Sequence, residues 1–153
     1  MTTTPHLLLD LAAAAGMPPL ALDEHDCCAL AIGNGPALNF RWLPDEEVLV
    51  LFSVLGTLGL QGRAERLMEL MRANRFWQQT LGATLALDDA APPHVLLARR
   101  FEARHVTSAE FRDAVELFAD VAVEWQERLD PQAGAAGPVE VPVALPGGVP
   151  SFA

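Results

Sequence analysis

Residues 47–55, "EVLVLFSVL", are apolar at both alternating sets of positions. Successive side chains of a strand point to opposite faces of its sheet, so a strand built from these residues needs apolar cover on both faces. The longer apolar run, residues 48–60, is too short to cross a bilayer as a helix. We therefore expect a covered strand inside a globular domain and no membrane span.

Four further segments have the alternation of half-buried strands. "CCALAIG" at 27–33 and "ALNFRWL" at 37–43 are separated by an Asn-Gly turn signal, and "PDEE" forms the next turn. "GATLALD" at 82–88 and "HVLLARRFEA" at 94–103 follow the covered strand at a distance. The spacing between them predicts a second group of strands.

Three segments have helical patterns. The first lies between Pro5 and Gly16, and the second runs from about Arg63 to Asn74. The last begins with Thr107 and Glu110 in capping-box spacing. Apolar residues then recur at helical spacing, and these are Phe111, Ala114, Val115, Phe118, Val121, Ala122 and Trp125.

This order predicts an α+β domain over residues 1–130. Three helices would pack on an antiparallel, twisted sheet of five or six strands, in the order α-β-β-β-α-β-β(-β)-α. From Asp130 onward the chain contains five prolines and four glycines, so residues 131–153 are predicted to be a disordered tail. The segment "VEVPVAL" in it is either part of an inert extension, which we favour, or binds a groove of its own protein or of a partner.

The net charge of −10 limits the classes of partner. An acidic surface repels phosphate backbones and anionic lipid, so we expect neither nucleic acid nor membrane as a partner. The N-terminal segment has no basic residue and is interrupted by Asp10, which argues against a signal peptide. The adjacent Cys27 and Cys28 are interpreted as buried thiols in a reducing cytoplasm.

No motif predicts catalysis, a metal or a cofactor. The cluster "EHDCC" has no second Cys or His pair with which to complete a zinc site, and the four histidines are scattered. "GNGPAL" leads into a strand where a dinucleotide loop requires a helix, and "GTLGLQGR" lacks the lysine and hydroxyl of a phosphate loop. We expect a protein that is not an enzyme, with a small hydrolase or ligand-binding protein as the remote alternative.

The apolar residues are more numerous than three helices can easily cover. Phe40 and Trp42 share a strand face with Leu38, and Leu70 lies beside the apolar stripe of the second helix. For any single residue the favoured interpretation is burial in the core. Taken together, such residues indicate a dimer interface or a polypeptide-binding groove.

Three stretches resemble the CesT (Tir chaperone) family of type III secretion chaperones over residues 5–130. "RLMELMRANRFWQQTLGATLALD" is similar to the family's passage from a helix ending in Asn, through an aromatic segment, to a strand. "GMPPLALDEHDCCALAIG" resembles its first helix-to-strand passage, and "TSAEFRDAVELFADVAVEWQERL" its last helix. Their occurrence together and in order carries the resemblance.

The resemblance implies a small cytoplasmic homodimer that acts without ATP. It would hold the N-terminal chaperone-binding segment of a secreted effector in extended form and deliver it to the secretion apparatus, with the ATPase of that apparatus as a further candidate partner. The alternative is the same fold sequestering a non-exported regulatory protein. The candidate effector-binding residues are Leu7, Leu8, Leu11, Leu30, Ile32, Leu38, Phe40 and Trp42. The candidate dimer-interface residues are Leu67, Leu70, Met71, Phe76 and Trp77.

The junction after the second helix is predicted from the same residues. Asn74 can adopt the left-handed conformation that ends a helix. Phe76 and Trp77 would then anchor the corner between helix and strand, either against the sheet or against the dimer mate.

Overall fold

The computed structural model describes residues 3–130, which form three helices and five strands. The prediction of a disordered tail over 131–153 falls outside these residues. In chain order the elements are α1 (His6–Ala14), β1 (Cys27–Leu30), β2 (Leu38–Leu43), β3 (Val48–Thr57), α2 (Arg63–Ala73), a 3-10 turn (Arg75–Trp77), β4 (Thr84–Leu87), β5 (His94–Glu102) and α3 (Ser108–Leu129).

The five strands form one sheet in the order β1-β2-β3-β5-β4, and every neighbouring pair is antiparallel. β3 therefore lies at the centre, with β2 and β5 hydrogen-bonded on its two sides. The predicted α+β architecture and order of elements are confirmed, with five strands. Among residues 3–130, no helix is long and apolar enough to cross a membrane.

One face of the sheet carries the hydrophobic core. Alternate residues of the strands point to this face, and the three helices contribute their apolar sides to the same cluster. All seven predicted stripe residues of α3 are buried, and Phe111 packs edge-on against Phe101 with ring centroids 4.9 Å apart. The stripe of α3 is confirmed because its spacing places every apolar side chain on one side of the helix.

The expectation that β3 is covered on both faces is wrong for the single chain. Leu49, Leu51 and Leu55 are buried, whereas Val50, Phe52 and Val54 on the other set are only half-buried. The reason is that all three helices join the core on the opposite face. The second face of the sheet keeps an apolar strip that α1, α2 and α3 leave uncovered.

The β1–β2 connection differs from a tight Asn-Gly hairpin, because β1 ends at Leu30 and β2 begins at Leu38. The intervening residues pack on α3. A Cβ atom on Gly35 would lie 2.9 Å from Cγ2 of Val123, so only glycine allows this approach. The predicted first strand is thus shortened because its C-terminal part leaves the sheet to contact α3.

The start of α3 agrees with the sequence signal. The Thr107 hydroxyl accepts the amide N–H of Glu110, and the Glu110 carboxylate accepts the amide of Thr107 at 2.9 Å. The backbone and side-chain hydrogen bonds from Thr107 lower the pKa of Glu110. Ser108 also donates a hydrogen bond to Asp10, which ties α3 to α1. The predicted capping box is confirmed.

Candidate functional site: apolar surfaces for polypeptide partners

The corner between α2 and β4 has a different geometry from the predicted one. Asn74 is in the right-handed region, with φ −70° and ψ −14°. The left-handed conformation is adopted instead by Phe76 and Trp77, at φ 56° and 53°. The prediction of a left-handed Asn74 is wrong because the left-handed conformation begins two residues later, at Phe76, and the Trp77 amide donates a hydrogen bond to the Asn74 carbonyl.

Asn74 acts through its side chain. Its Nδ2 donates to the carbonyl of Leu85 at 2.9 Å, and its Oδ1 accepts the amide of Leu85 at 2.8 Å. These are the two bonds that a neighbouring strand would make to Leu85. The amide therefore closes the outer edge of β4 at this residue and joins the end of α2 to the sheet.

The aromatic residues of the corner point away from the core. Phe76 is 75% exposed and Trp77 is 55% exposed, and the Trp77 indole N–H reaches the Thr84 hydroxyl at 3.3 Å. Met68 and Met71 on α2, and Leu81 just before β4, are also exposed. We call these five residues the corner surface. A bulky residue in the left-handed region costs about 1–2 kcal/mol, so Phe76 and Trp77 are exposed on a strained backbone.

The predicted dimer-interface residues separate into two groups. Met71, Phe76 and Trp77 belong to the corner surface, and Leu67 is half-buried against the core. Leu70 is buried in the core of its own chain. Spacing along α2 could not distinguish Leu70 from Met71, because adjacent positions differ only in which way the helix is rotated against the sheet.

Most of the predicted effector-binding residues are buried, and only two are partly exposed. Six are buried in the core of the single chain, namely Leu7, Leu8, Leu11, Leu30, Leu38 and Phe40. Ile32 is 44% exposed, and Trp42 is partly buried against the core. In the structure described, Ile32 and Trp42 are thus the two that offer substantial surface to a partner. A role of the whole set in effector binding stays a prediction.

Ile32 opens onto a groove of about 410 Å³. The groove lies between the end of α1, the chain that follows β1, and the first turns of α3, and we call it the α1–α3 groove. Predicted residues Leu11 and Leu30 form part of its lining, while Met17 and Leu20 add further apolar walls. A concave apolar site with few polar groups suits aliphatic side chains.

The α3 side of this groove was not predicted. Val115 supplies an apolar wall, and Arg112 and Glu116 place opposite charges beside it. In the sequence Val115 belongs to the core stripe, and the two charged residues are typical of a solvated helix face. Only the packing of α3 next to α1 brings them to one groove.

The outer edge of β1 is open beside the α1–α3 groove. The Trp42 amide donates to the Asp26 carbonyl across the β1–β2 pair, whereas the N–H and C=O of Cys27 both bond outward to Asp23. Peptide groups alternate along an antiparallel ladder, so those of Ala29 also point outward. Within residues 3–130 nothing bonds to them on that side, so this edge can accept another strand.

A larger hollow, near Thr3 and Asp23, lacks the features of a binding site. Acidic and polar loop residues form much of its wall. Backbone hydrogen bonds from Cys27 and His25 lower the pKa of Asp23, so this carboxylate is committed to its own turn. The smaller α1–α3 groove is the better candidate for a polypeptide because its lining is apolar.

The two thiols lie on opposite faces of the sheet, as expected for neighbours in a strand. Cys27 pairs with Arg41 and Cys28 with Phe40, and both side chains are only half-buried, not buried. Burial raises the pKa of Cys28 to about 11, so the thiol is not activated as a nucleophile. In the part of the chain described, no three His, Cys, Asp or Glu side chains are placed to hold a metal ion.

Three solved structures contain a chain of the same fold. The chain is 24% identical to a chain of the ExsC–ExsE complex, with TM-score 0.65 and coverage of 80% of this chain and 90% of that one. It is 22% identical to a chain in the structure of the Yersinia pestis type III secretion chaperone SycH with a fragment of YscM2, with TM-score 0.63 and coverage of 80% of this chain and 98% of that one. It is 21% identical to a chain of the ExoU–SpcU complex from Pseudomonas aeruginosa, with TM-score 0.62 and coverage of 80% of this chain and 93% of that one.

Identities this low show the common fold alone, and no curated protein sequence matches the chain significantly. The family is shown by the sequence itself. Residues 6–126 match the model of the Tir chaperone protein (CesT) family. The match extends from the first residue of α1 to the last turn of α3. The chain therefore belongs to the Tir chaperone protein (CesT) family.

Proposed function

We propose that this protein is a cytoplasmic chaperone of type III secretion that binds the N-terminal region of a secreted effector in extended form. The observation that carries the proposal is the open β1 edge at Ala29 beside the α1–α3 groove. An extended segment can hydrogen-bond to a free edge while its apolar side chains enter a neighbouring groove. Both features lie in one place on a member of a chaperone family.

The charge of the chain supports the same function. Excess acidic residues give a net charge of −10, which keeps a complex with an apolar segment from aggregating. The mode of binding requires no nucleotide, so the chaperone acts without ATP. An ATPase of the secretion apparatus is proposed to receive the loaded complex.

We further propose a homodimer formed through the corner surface. Met71, Phe76 and Trp77 are exposed in the single chain, and the first of them lies on α2 next to the strained turn that carries the other two. In a symmetric interface each of these residues would be buried in both copies of the chain. The dimer would leave both α1–α3 grooves available, since the groove is lined by other elements.

The test is capture of partners by the tagged full-length chain from its native cytoplasm while secretion is active. We expect one dominant exported protein, bound through its N-terminal region by two copies of this chain, as measured by mass spectrometry and light scattering. Ile32→Asp should reduce capture, whereas Leu60→Asp should not, because Leu60 is more exposed but lies outside the groove.

Two results would contradict the proposal. Equal capture by the wild-type chain and the Ile32→Asp variant would remove the groove from effector binding. A dominant partner that stays inside the cell would instead indicate the regulatory alternative, in which the same fold sequesters a non-exported protein.

A further inference from the structure

The α1–α3 groove combines exposed apolar surface with one cation, Arg112, and one anion, Glu116. Ile32 is 44% exposed in it. The Arg112 side chain at its α3 wall is about half-exposed, and its nearest carboxylate is that of Asp113 at 3.9 Å. An occupant with aliphatic side chains and one acidic group would match this lining.

The chain itself contains such a segment. Residues 139–145, "VEVPVAL", place Val139, Val141, Val143 and Leu145 at alternate positions. Glu140 is the one Asp, Glu, Lys or Arg among residues 131–153. The segment carries a single negative charge, so the acidic body of the protein repels it only weakly, and its carboxylate can approach Arg112.

The connection is long enough. α3 ends at Leu129, and Glu116 in the groove lies 13 residues earlier in the same helix. At a rise of about 1.5 Å per residue this is about 20 Å. The nine peptide units from Asp130 to Val139 span up to about 30 Å. The path along α3 passes the half-exposed Val123, against which the β1–β2 connection packs.

The sequence alone favours an inert extension for residues 139–145, but from the lining of the α1–α3 groove and the length of the connection we propose instead that they occupy this groove of their own chain when no partner is bound. The segment thereby acts as an internal competitor that an effector must displace. This regulation goes beyond the proposed function, and the docking itself does not depend on that function. Tethering makes the competition effective, because a linked segment is present at a high local concentration.

Ile32 provides a direct measurement, since it is the one isoleucine of the chain. Its δ1-methyl group, labelled with carbon-13 in the full-length protein, gives a single NMR signal that a dissolved neutral gadolinium chelate broadens when the methyl is exposed. We expect this signal to resist broadening in the wild-type chain. The double variant V141D/V143D would place two charged side chains in the apolar groove if the segment stayed there. Burial of these charges is unfavourable, so the segment should leave the groove and the Ile32 signal should broaden.

The matched control is the pair of single variants Val143→Asp and Ala144→Asp. Each adds one charge to the same segment, but Ala144 belongs to the alternate set of positions, so protection of the Ile32 methyl should be lost in the first variant and remain in the second. Circular dichroism should be unchanged in every variant, because the substitutions lie outside the core that residues 3–130 form.

Three outcomes would overturn the proposal. The Ile32 signal could broaden equally in the wild-type chain, remain protected in V141D/V143D, or become protected only at high protein concentration, which would assign the groove to another copy. No effector is present in this experiment. A negative NMR result would therefore leave the proposed effector binding unaffected. A failure to capture an effector would likewise leave the NMR result unaffected.

Discussion

Replacing Trp77 by glycine separates dimer formation from folding. Trp77 is 55% exposed and has a left-handed backbone with φ 53°. Glycine removes the side chain and also the steric cost of that conformation, about 1–2 kcal/mol, against about 0.5–1 kcal/mol of added unfolded-state entropy. Glycine also loses the 45% of the side chain that the chain itself covers, about 110 Å² or up to about 3 kcal/mol. We therefore expect the free energy of unfolding of the single chain to fall by no more than about 3 kcal/mol.

The effect on the proposed dimer should be much larger. A tryptophan side chain presents about 250 Å², and the exposed 55% leaves about 140 Å² for a partner to cover. At about 25 cal/mol per Å² this is about 3 kcal/mol for each copy as an upper value. A symmetric dimer loses it twice, so the dimer Kd should rise by at least about 100-fold even if half of the area is covered.

The assay is sedimentation equilibrium for the dimer Kd, with urea unfolding of the single chain at concentrations below that Kd. Leu60→Ala is the control, because it removes an even more exposed apolar side chain outside the corner surface. An unchanged dimer Kd in Trp77→Gly would refute the assignment of the corner surface to the interface. A large loss of monomer stability would instead show that Trp77 anchors the fold.

Three other predictions concern stability. Asn74→Ala removes both hydrogen bonds to the Leu85 backbone and should cost about 1–3 kcal/mol in urea unfolding, where no change would exclude its role at the β4 edge. Thr107→Ala removes the α3 cap and should cost about 1 kcal/mol in the same assay. Burial raises the pKa of Asp88, but hydrogen bonds, chiefly from the backbone and ring of His94, outweigh it and leave the pKa below its usual value. This stabilisation is present above the unfolded-state pKa and is lost as pH falls below about 4, so Asp88→Asn should weaken the acid dependence of the urea midpoint, and an identical acid dependence would argue against it.

Local patterns in the sequence predicted most of the architecture. The capping box at Thr107 and Glu110 and the apolar stripe that follows it define α3 with few alternatives, because both are properties of a single helix. Alternation likewise located the strands, and the Asn-aromatic-strand passage at residues 74–88 indicated the family that the match over residues 6–126 shows. Such features depend on neighbours along the chain and can be read without the fold.

Exposure could not be predicted in the same way. A period of two tells that the residues of β3 point to two faces, but the helices all pack on one of them, so Leu51 is buried while Phe52 stays half-exposed. The candidate site was affected most, since six of the eight predicted effector-binding residues are core residues. Apolar character is common to core and interface, and sequence spacing alone does not separate the two.

The sequence by itself determined the order of helices and strands, the cap and stripe of α3, and the family. The tertiary structure decided the rest. It assigned the strained turn to Phe76 and Trp77 instead of Asn74, and it brought Ile32 to the same groove as Arg112, 80 residues later in the chain. The physical reason is that periodicity fixes relative directions within one element, whereas exposure depends on which other elements pack against it.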